Sequence, residues 1–134
     1  MKPIFLFILA IFGFINAAWL NWQYERFVAT GKKMFCLAGD DCTAVVGSRW
    51  GKTLGIKNEL AGIFYYIFVM TLSFVLLLMP ALQPLIRLPL LISITLAAGF
   101  SIYLLILQVA VIKKLCSWCI IAIGINLLLW LAAL

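Results

Sequence analysis

Two close pairs of cysteines are the residues of this sequence best suited to chemistry. One pair is Cys36 and Cys42, and the other is the CxxC motif of Cys116 and Cys119. Four cysteines allow three disulfide connectivities, of which the two local pairings are the simplest. Such pairs occur as structural disulfides, as zinc ligands and as redox centres, so the surrounding sequence has to distinguish between these possibilities.

The CxxC pair stands at the start of the last apolar run, where a helix would begin. The two thiols are one helical turn apart and share a face. Unpaired backbone N–H groups and the helix dipole favour a thiolate there, and Lys113 and Lys114 add positive charge. The outer thiol, Cys116, is therefore suited to exchange with another cysteine. Cys119 lies one turn deeper, where it could reduce a membrane-soluble two-electron acceptor such as a quinone.

The composition is that of an integral membrane protein. The chain has 134 residues, of which 67% are hydrophobic and only 10% are charged, whereas a soluble domain carries far more charge. The net charge of +6 does not indicate nucleic-acid binding, because the apolar spans leave no room for a basic reading face. The absence of histidine removes imidazole base catalysis and most metal sites. The acidic residues lie outside the long apolar runs, which argues against a proton-relay transporter; they are Glu25, Asp40, Asp41 and Glu59.

Four apolar runs predict an all-α integral membrane protein, in which a four-transmembrane-helix bundle forms a single domain over residues 1–134. Crossing the hydrocarbon takes roughly 20 apolar residues, and the absence of strand-type alternation favours helices. The predicted spans are residues 4–20, 60–79, 88–112 and 115–134. The first run has a second interpretation as a cleaved signal peptide, because it has a basic start and small residues at Ala17 and Ala18.

The long connection, residues 21–59, is the predicted site of function, because long loops with their own chemistry on a short-looped scaffold are usually functional. Gly39 lies between Cys36 and Cys42, so this pair could swing between Cys116 and a protein substrate. Two alternatives remain: a four-cysteine zinc site, for which the spacing is plausible, and a pair of inert stabilising disulfides. The placement of one pair on a membrane helix, with the second pair in a facing loop, favours the redox interpretation.

A short helix is predicted inside this connection, where the sequence reads DDCTAVVGSRWG. Asp40 or Asp41 would cap it, and Gly47 or Gly51 would end it. Its apolar residues suit a helix that lies against the membrane surface. Trp50 would anchor that helix at the interface.

Several segments together resemble a known family. They are, in chain order, the pair Cys36 and Cys42, SRWG at residues 48–51, LGI at residues 54–56, Asn58, Gly62, and the CxxC motif that opens the last span. Their order and spacing resemble the vitamin K epoxide reductase family in its small prokaryotic form, over nearly the whole chain. No single segment is decisive, but the combination is hard to obtain by chance.

The resemblance implies a four-helix membrane bundle that encloses a quinone. It implies that electrons pass from a thioredoxin-fold partner to Cys36 and Cys42, then to the CxxC pair and on to the quinone. Cys42 would exchange with Cys116, and Cys119 would face the quinone. Since the sequence ends at Leu134 without a fused thioredoxin-like domain, the partner is expected to be a separate protein.

The resemblance also implies a quinone pocket, lined or covered by Val46, Trp50, Asn58 and Tyr65. Asn58 would donate a hydrogen bond to a quinone oxygen, or alternatively cap the second helix. The vertebrate members of the family carry a tyrosine four residues after the inner cysteine, where this sequence has Ile123. That departure favours reduction of a quinone over reduction of an epoxide.

Gln108 is the strongly polar side chain of the third span, and a polar group in lipid should have a partner. Leu104, Gln108 and Ile112 recur every four residues and share one face. A very short turn makes the third and fourth helices antiparallel neighbours, which brings Gln108 to the depth of Cys119. Gln108 could therefore donate the quinone hydrogen bond that Ile123 cannot, or form a helix–helix hydrogen bond.

These observations predict a quinone-dependent thiol–disulfide oxidoreductase that generates disulfides, with a ubiquinone, menaquinone or vitamin K type of cofactor. The alternatives are a vitamin K epoxide reductase that uses the same relay, and a zinc-binding membrane scaffold without enzyme activity. The expected location is a prokaryotic cell membrane. Lysines and arginines concentrate on the cysteine side, which by the positive-inside rule indicates the cytoplasm. The resemblance and the usual disulfide compartments favour the extracytoplasmic face, which is the side we expect.

Overall fold

The computed structural model describes residues 2–36 and 42–134. In that part of the chain, α-helices alternate with short connecting elements. The α-helices are α1 (Pro3–Thr30), α2 (Cys42–Val46), α3 (Asn58–Leu78), α4 (Gln83–Ile106) and α5 (Ser117–Ala133). Two 3₁₀ turns cover Arg49–Gly51 and Pro80–Leu82, and a π-helical segment, Leu107–Ile112, continues α4. The antiparallel strands β1 (Lys52–Thr53) and β2 (Ile56–Lys57) form a small hairpin.

The long helices have the length and composition of membrane spans. Pro3–Thr30, Asn58–Leu78 and Pro80–Ile112 are long and apolar enough to cross a bilayer, and Ser117–Ala133 is a shorter apolar helix. Large side chains on their outer faces are exposed, as expected where lipid is the solvent; examples are Phe12, Phe64, Leu85 and Leu96. The predicted all-α membrane fold is confirmed.

The bundle core lies between α1, α3, α4 and α5. Helix α1 packs along α3 and α5, and α4 packs along α5. The fully buried side chains include Leu6, Val69, Leu90, Ile94 and Leu129. Helix α1 supplies part of this core, because its apolar residues Leu6, Ala10 and Ala17 are buried against the other helices.

A close approach between helices α1 and α3 depends on glycine. A methyl group at Gly13 would overlap the ring of Tyr66, whose side chain is buried against α1. The Tyr66 hydroxyl donates to Asn126 Oδ1 at 2.7 Å, which connects α3 to α5. The absence of a side chain at Gly13 therefore allows the three helices to meet.

The helix boundaries differ most from the predicted spans at two places. Helix α1 does not end near Leu20 but continues to Thr30, because the first residue that interrupts it is Gly31, in the left-handed conformation at φ 74°. Helix α4 begins at Gln83 rather than residue 88 and therefore includes Arg87. Pro89 lies inside α4, as neighbouring helices permit for proline in membrane helices.

The predicted short helix is present as α2, but it faces inward. Its apolar residues Val45 and Val46 are buried against Leu20 and Cys116 instead of lying on the membrane surface, since the bundle offers them a drier environment. The proposed caps, Asp40 and Asp41, lie outside the described residues. The chain turns back after α2, and at Gly51 a methyl group would overlap the carbonyl oxygen of Val46.

Candidate active site

All four cysteines lie in one cluster at the end of the bundle. Cys42 and Cys116 are buried in it, with exposed fractions of 1% and 0%. Cys36 and Cys119 are partly buried and pack against the same cluster, which also contains Leu20, Met34, Val45 and Val46. The fold therefore brings together two cysteine pairs that are about eighty residues apart in sequence.

The loop pair is joined in a disulfide. Cys36 and Cys42 form an S–S bond with their Cα atoms 5.8 Å apart. Cys36 is the more accessible of the two sulfurs. Ser117 Oγ lies 3.7 Å from Cys36 Sγ, and since a disulfide sulfur has no proton, the hydroxyl is the donor in this contact. The loop disulfide thus touches the first residue of α5.

The CxxC pair is present as two thiols at the start of α5. Cys116 is the N-cap residue of this helix, and its Sγ accepts a hydrogen bond from Cys119 N at 3.3 Å. An N-cap acceptor of this kind stabilises a thiolate, since the backbone N–H groups and the helix dipole point at it. This is the electrostatic position that the sequence predicted for Cys116, although the residue is buried rather than exposed.

Polar side chains from distant parts of the chain fix the CxxC backbone. Gln108 Oε1 accepts from Cys116 N at 3.0 Å. Asn16 Nδ2 donates to Trp118 O at 3.0 Å, and Trp118 Nε1 donates to Phe35 O at 2.8 Å. The motif is therefore tied to α1, to the end of α4 and to the segment that precedes Cys36.

Two adjoining cavities open beside Cys119. The smaller, about 50 Å³, lies under α2 and is lined by Val46, Trp50 and Gln108 among others. The larger, about 400 Å³, extends into the bundle and is lined by Tyr65 and Ile123 among others. Asn58 and Cys119 line both. A volume of several hundred Å³ with mostly apolar walls is typical of a small-molecule site.

The structure thus places all the predicted pocket residues on the walls of these two cavities. The π-helical segment contributes to this arrangement, because its residues Leu107, Gln108 and Ile112 all line the smaller cavity. Such segments are frequent at functional sites. The amide oxygen of Gln108 accepts a hydrogen bond from the backbone N–H of Cys116. Within the protein, Gln108 therefore binds the connection between α4 and α5.

Asn58 connects the cavity wall to the loop. Its Nδ2 donates to Trp50 O at 3.0 Å, and its Oδ1 accepts from Thr53 Oγ1 at 2.8 Å. The residue opens α3, but the N-cap position belongs to Lys57. An amide nitrogen carries two N–H groups, and the bond to Trp50 uses one of them.

Two residues that line the larger cavity each have a buried polar atom without a hydrogen-bond partner among the described residues. These atoms are the Tyr65 hydroxyl and Glu59 Oε1. Buried polar groups in proteins are nearly always bonded, so such atoms need an explanation. An apolar ring with carbonyl oxygens would fill the cavity and give the hydroxyl an acceptor, which is how a quinone fits this site.

Comparison with models of known protein families matches residues 4–134 to the vitamin K epoxide reductase family. The chain belongs to this family. Members of the vitamin K epoxide reductase family are oxidoreductases that act with quinones, and the apolar helices make this member a multi-pass membrane protein. The resemblance seen in the short sequence segments is therefore confirmed.

Sequence reasoning missed three polar residues of this site. Glu59 was assigned to the loop because it precedes the apolar run, whereas it lies in the first turn of α3 and is buried. Asn16 and Asn126 are buried or partly buried in spans that the sequence analysis treated as apolar. The available signal was the one applied to Gln108: a polar residue inside a membrane span needs a partner.

Proposed function

We propose that this protein is a quinone-dependent thiol–disulfide oxidoreductase that generates disulfides in a thioredoxin-fold partner. The observation that carries this proposal is the single cluster of four cysteines, with Cys119 on the wall of a cavity that suits a quinone. The cluster allows thiol–disulfide exchange between the two pairs without a large movement of the bundle. The cavity allows the second pair to be reoxidised from within the membrane.

Burial supports a direction for the relay. Cys36 is the more accessible sulfur of the loop pair, so the partner's thiolate attacks Cys36 and releases Cys42. Cys42 then attacks Cys116 in the oxidised CxxC pair and releases Cys119. When the partner's second thiol has resolved its own mixed disulfide, Cys36 is released and closes again on Cys42. The products are an oxidised partner, an intact loop disulfide and two CxxC thiols.

The arrangement of bonds in the structure corresponds to the end of that sequence. The loop pair is a disulfide, and the CxxC pair is reduced. In this state the two electrons taken from the partner are held by the CxxC thiols, of which Cys119 lines both cavities. When bound, the quinone supplies the two-electron acceptor that returns Cys116 and Cys119 to a disulfide.

We assign the quinone pocket to residues that line one or the other of the two cavities. Val46 and Trp50 line the smaller cavity, and we infer that the Tyr65 hydroxyl and the second N–H of Asn58 donate to ring oxygens. Gln108 borders the same space through its amide. Ile123 lines the larger cavity and cannot donate, which favours quinone reduction over epoxide reduction; comparing the turnover of a quinone with that of its epoxide tests this choice.

The zinc alternative predicts four thiolate ligands. A disulfide between Cys36 and Cys42 leaves two thiols in the cluster, which does not suit a tetrahedral site made of four cysteines. Metal analysis of the purified protein decides between the two functions. Stoichiometric zinc that is lost when any of the four cysteines is replaced would overturn the oxidoreductase proposal.

The direct test is quinone reduction by purified protein in proteoliposomes. A reduced thioredoxin-fold protein is the electron donor, and hydroquinone is measured by its absorbance. We expect turnover with the wild type and none with Cys119→Ser, whereas Ser73→Ala, a buried change on α3 that does not border either cavity, leaves turnover unchanged. Equal rates with and without Cys119 would contradict the proposal.

We further propose four membrane spans in a single domain, with the cysteine cluster on the extracytoplasmic side. Helix α5, with 17 residues, reaches the lower limit of a span. The excess of basic residues near the cysteines has a local explanation in part. Lys57 is paired with Glu25, and the Arg49 guanidinium stacks over Trp50 at 4.5 Å from the ring centroid. The extracytoplasmic side is favoured by the compartments in which disulfides form and persist.

A further inference from the structure

Glu59 is a buried acidic residue that lines the same two cavities as Cys119. It lies in the first turn of α3 with an exposed fraction of 6%, and its Oε1 has no hydrogen-bond partner among the described residues. Ionisable groups at the edge of a membrane span are expensive to bury, and those that are buried commonly have a function.

The neighbouring charges do not form an ion pair with Glu59. The nearest lysine in sequence, Lys57, is bonded to Glu25 and to Asn21 Oδ1 at 3.0 Å. Lys52 and Glu25 also act on the carboxyl group electrostatically, but from exposed positions. Among the described residues, Glu59 is therefore buried without an ion-pair partner, and it lines the same two cavities as Cys119.

The proposed reaction requires a group that moves protons. Two thiols and one quinone give one disulfide and one hydroquinone. Two S–H bonds break, one S–S bond and two O–H bonds form, and two electrons pass from sulfur to the ring. Two protons therefore have to travel from sulfur to oxygen within a mostly apolar cavity. The chain has no histidine, and Glu59 is the carboxylic acid among the described residues that line either cavity.

We propose that Glu59 is the proton-transfer residue of the quinone-reducing step. Its carboxylate accepts the proton of the Cys119 thiol as that sulfur gives up electrons, and its carboxylic acid then delivers the proton to the quinone oxygen on the cysteine side. The proton of Cys116 follows through the same carboxyl group in a second transfer and goes to the other ring oxygen, which completes the hydroquinone. This inference rests on the proposed function and names the residue that carries the protons.

Infrared spectroscopy without quinone gives a first readout. Glu25 and Glu59 are the glutamates of the chain, so protein that carries Glu25→Gln and ¹³C-labelled glutamate reports on Glu59 alone. We expect a labelled carboxylic-acid band that changes between the oxidised and the reduced CxxC pair and shifts in D₂O. A labelled carboxylate that stays ionised and unchanged in both redox states would overturn the proposal, and this readout leaves Glu59 itself intact.

Single-turnover kinetics gives the second readout. Proton transfer by a positioned side chain typically contributes 10²- to 10⁴-fold in rate, so Glu59→Gln should slow hydroquinone formation by about 100-fold or more. Its KM for quinone and its rate of exchange with the partner should stay near the wild-type values. Glu59→Asp should recover part of the rate, and the control Glu25→Gln should match the wild type.

The two proposals fail in different ways. If the wild type does not reduce quinone, the proposed function is wrong. If the wild type reduces quinone and Glu59→Gln does so at the same rate and with the same solvent isotope effect, the function stands and the role of Glu59 is refuted. If both exchange and quinone reduction fall together in Glu59→Gln and Glu59→Asp recovers neither, the residue is structural, which also refutes the inference.

Discussion

Replacing Gln108 by leucine removes the hydrogen-bond acceptor of the reactive cysteine's backbone. Gln108 has an exposed fraction of 2%, and its Oε1 accepts from Cys116 N at 3.0 Å. Leucine has a similar volume but no acceptor, so the buried N–H of Cys116 loses its hydrogen bond to Gln108. The expected cost is about 1–3 kcal/mol. A cost of that size corresponds to roughly 5- to 150-fold in an equilibrium constant.

This cost can appear in two measurements. If the backbone around Cys116 stays in place, the free energy of unfolding in detergent falls by that amount. If the backbone moves away to rehydrate its N–H, the population in which Cys116 is aligned with Cys42 falls instead, and exchange between the pairs slows by the corresponding factor. Thermal unfolding measures the first effect. Rapid alkylation followed by separation of the redox forms on a gel measures the second.

A matched control exists in α1. Gln23 is also buried, but neither of its amide atoms has a hydrogen-bond partner among the described residues. Gln23→Leu therefore removes no observed bond and should be neutral or slightly stabilising. Gln108→Leu could instead leave stability and exchange unchanged and raise only the KM for quinone. In that case the hydrogen bond between Gln108 and Cys116 contributes to neither stability nor exchange. The Gln108 amide would then act on the quinone directly, as the sequence suggested.

Three further predictions concern packing and orientation. Gly13→Ala drives a methyl group into the Tyr66 ring and should lower the free energy of unfolding by about 1–3 kcal/mol through overpacking. The control Gly99→Ala, with open space around it, should not lower the thermal unfolding temperature. Equal effects of the two changes would refute the close approach of α1 and α3. Gly51→Ala pushes against the backbone of α2 and should slow exchange between the pairs in the alkylation assay by more than Gly99→Ala does. Cys36, after mild reduction in intact cells, should react with a membrane-impermeant thiol reagent, and labelling that requires lysis would place the site in the cytoplasm.

The sequence was sufficient for the membrane fold because long apolar runs have few alternatives to helices. It was weaker on helix ends, since hydropathy falls near Leu20 while the backbone stays helical until Gly31. The apolar face of α2 was recognised, but its direction was not. Whether Val45 faces lipid or protein depends on the bundle beside it, which the local pattern does not contain.

The candidate site was predictable where spacing carries chemistry. The CxxC motif, the loop pair and the pocket residues of α3 could all be named from sequence and family resemblance. The bonds from Asn16 and Gln108 to the CxxC backbone could not, because they join residues on different helices. Glu59 was missed because its burial is created by the loop that folds over the start of α3, and the sequence beside it is charged.

The central claim is that electrons pass between the two cysteine pairs through Cys42 and Cys116. Cys36 resolves a Cys42–Cys116 bond in the forward direction of the relay and Cys119 resolves it in reverse, so the double variant Cys36→Ser/Cys119→Ser has no resolving thiol and should accumulate this disulfide on mild oxidation. Mass spectrometry of peptides from the alkylated, unreduced protein identifies the linkage. We predict the Cys42–Cys116 peptide pair as the main disulfide of this variant. Finding Cys42 and Cys116 both alkylated after the same oxidation would contradict the relay.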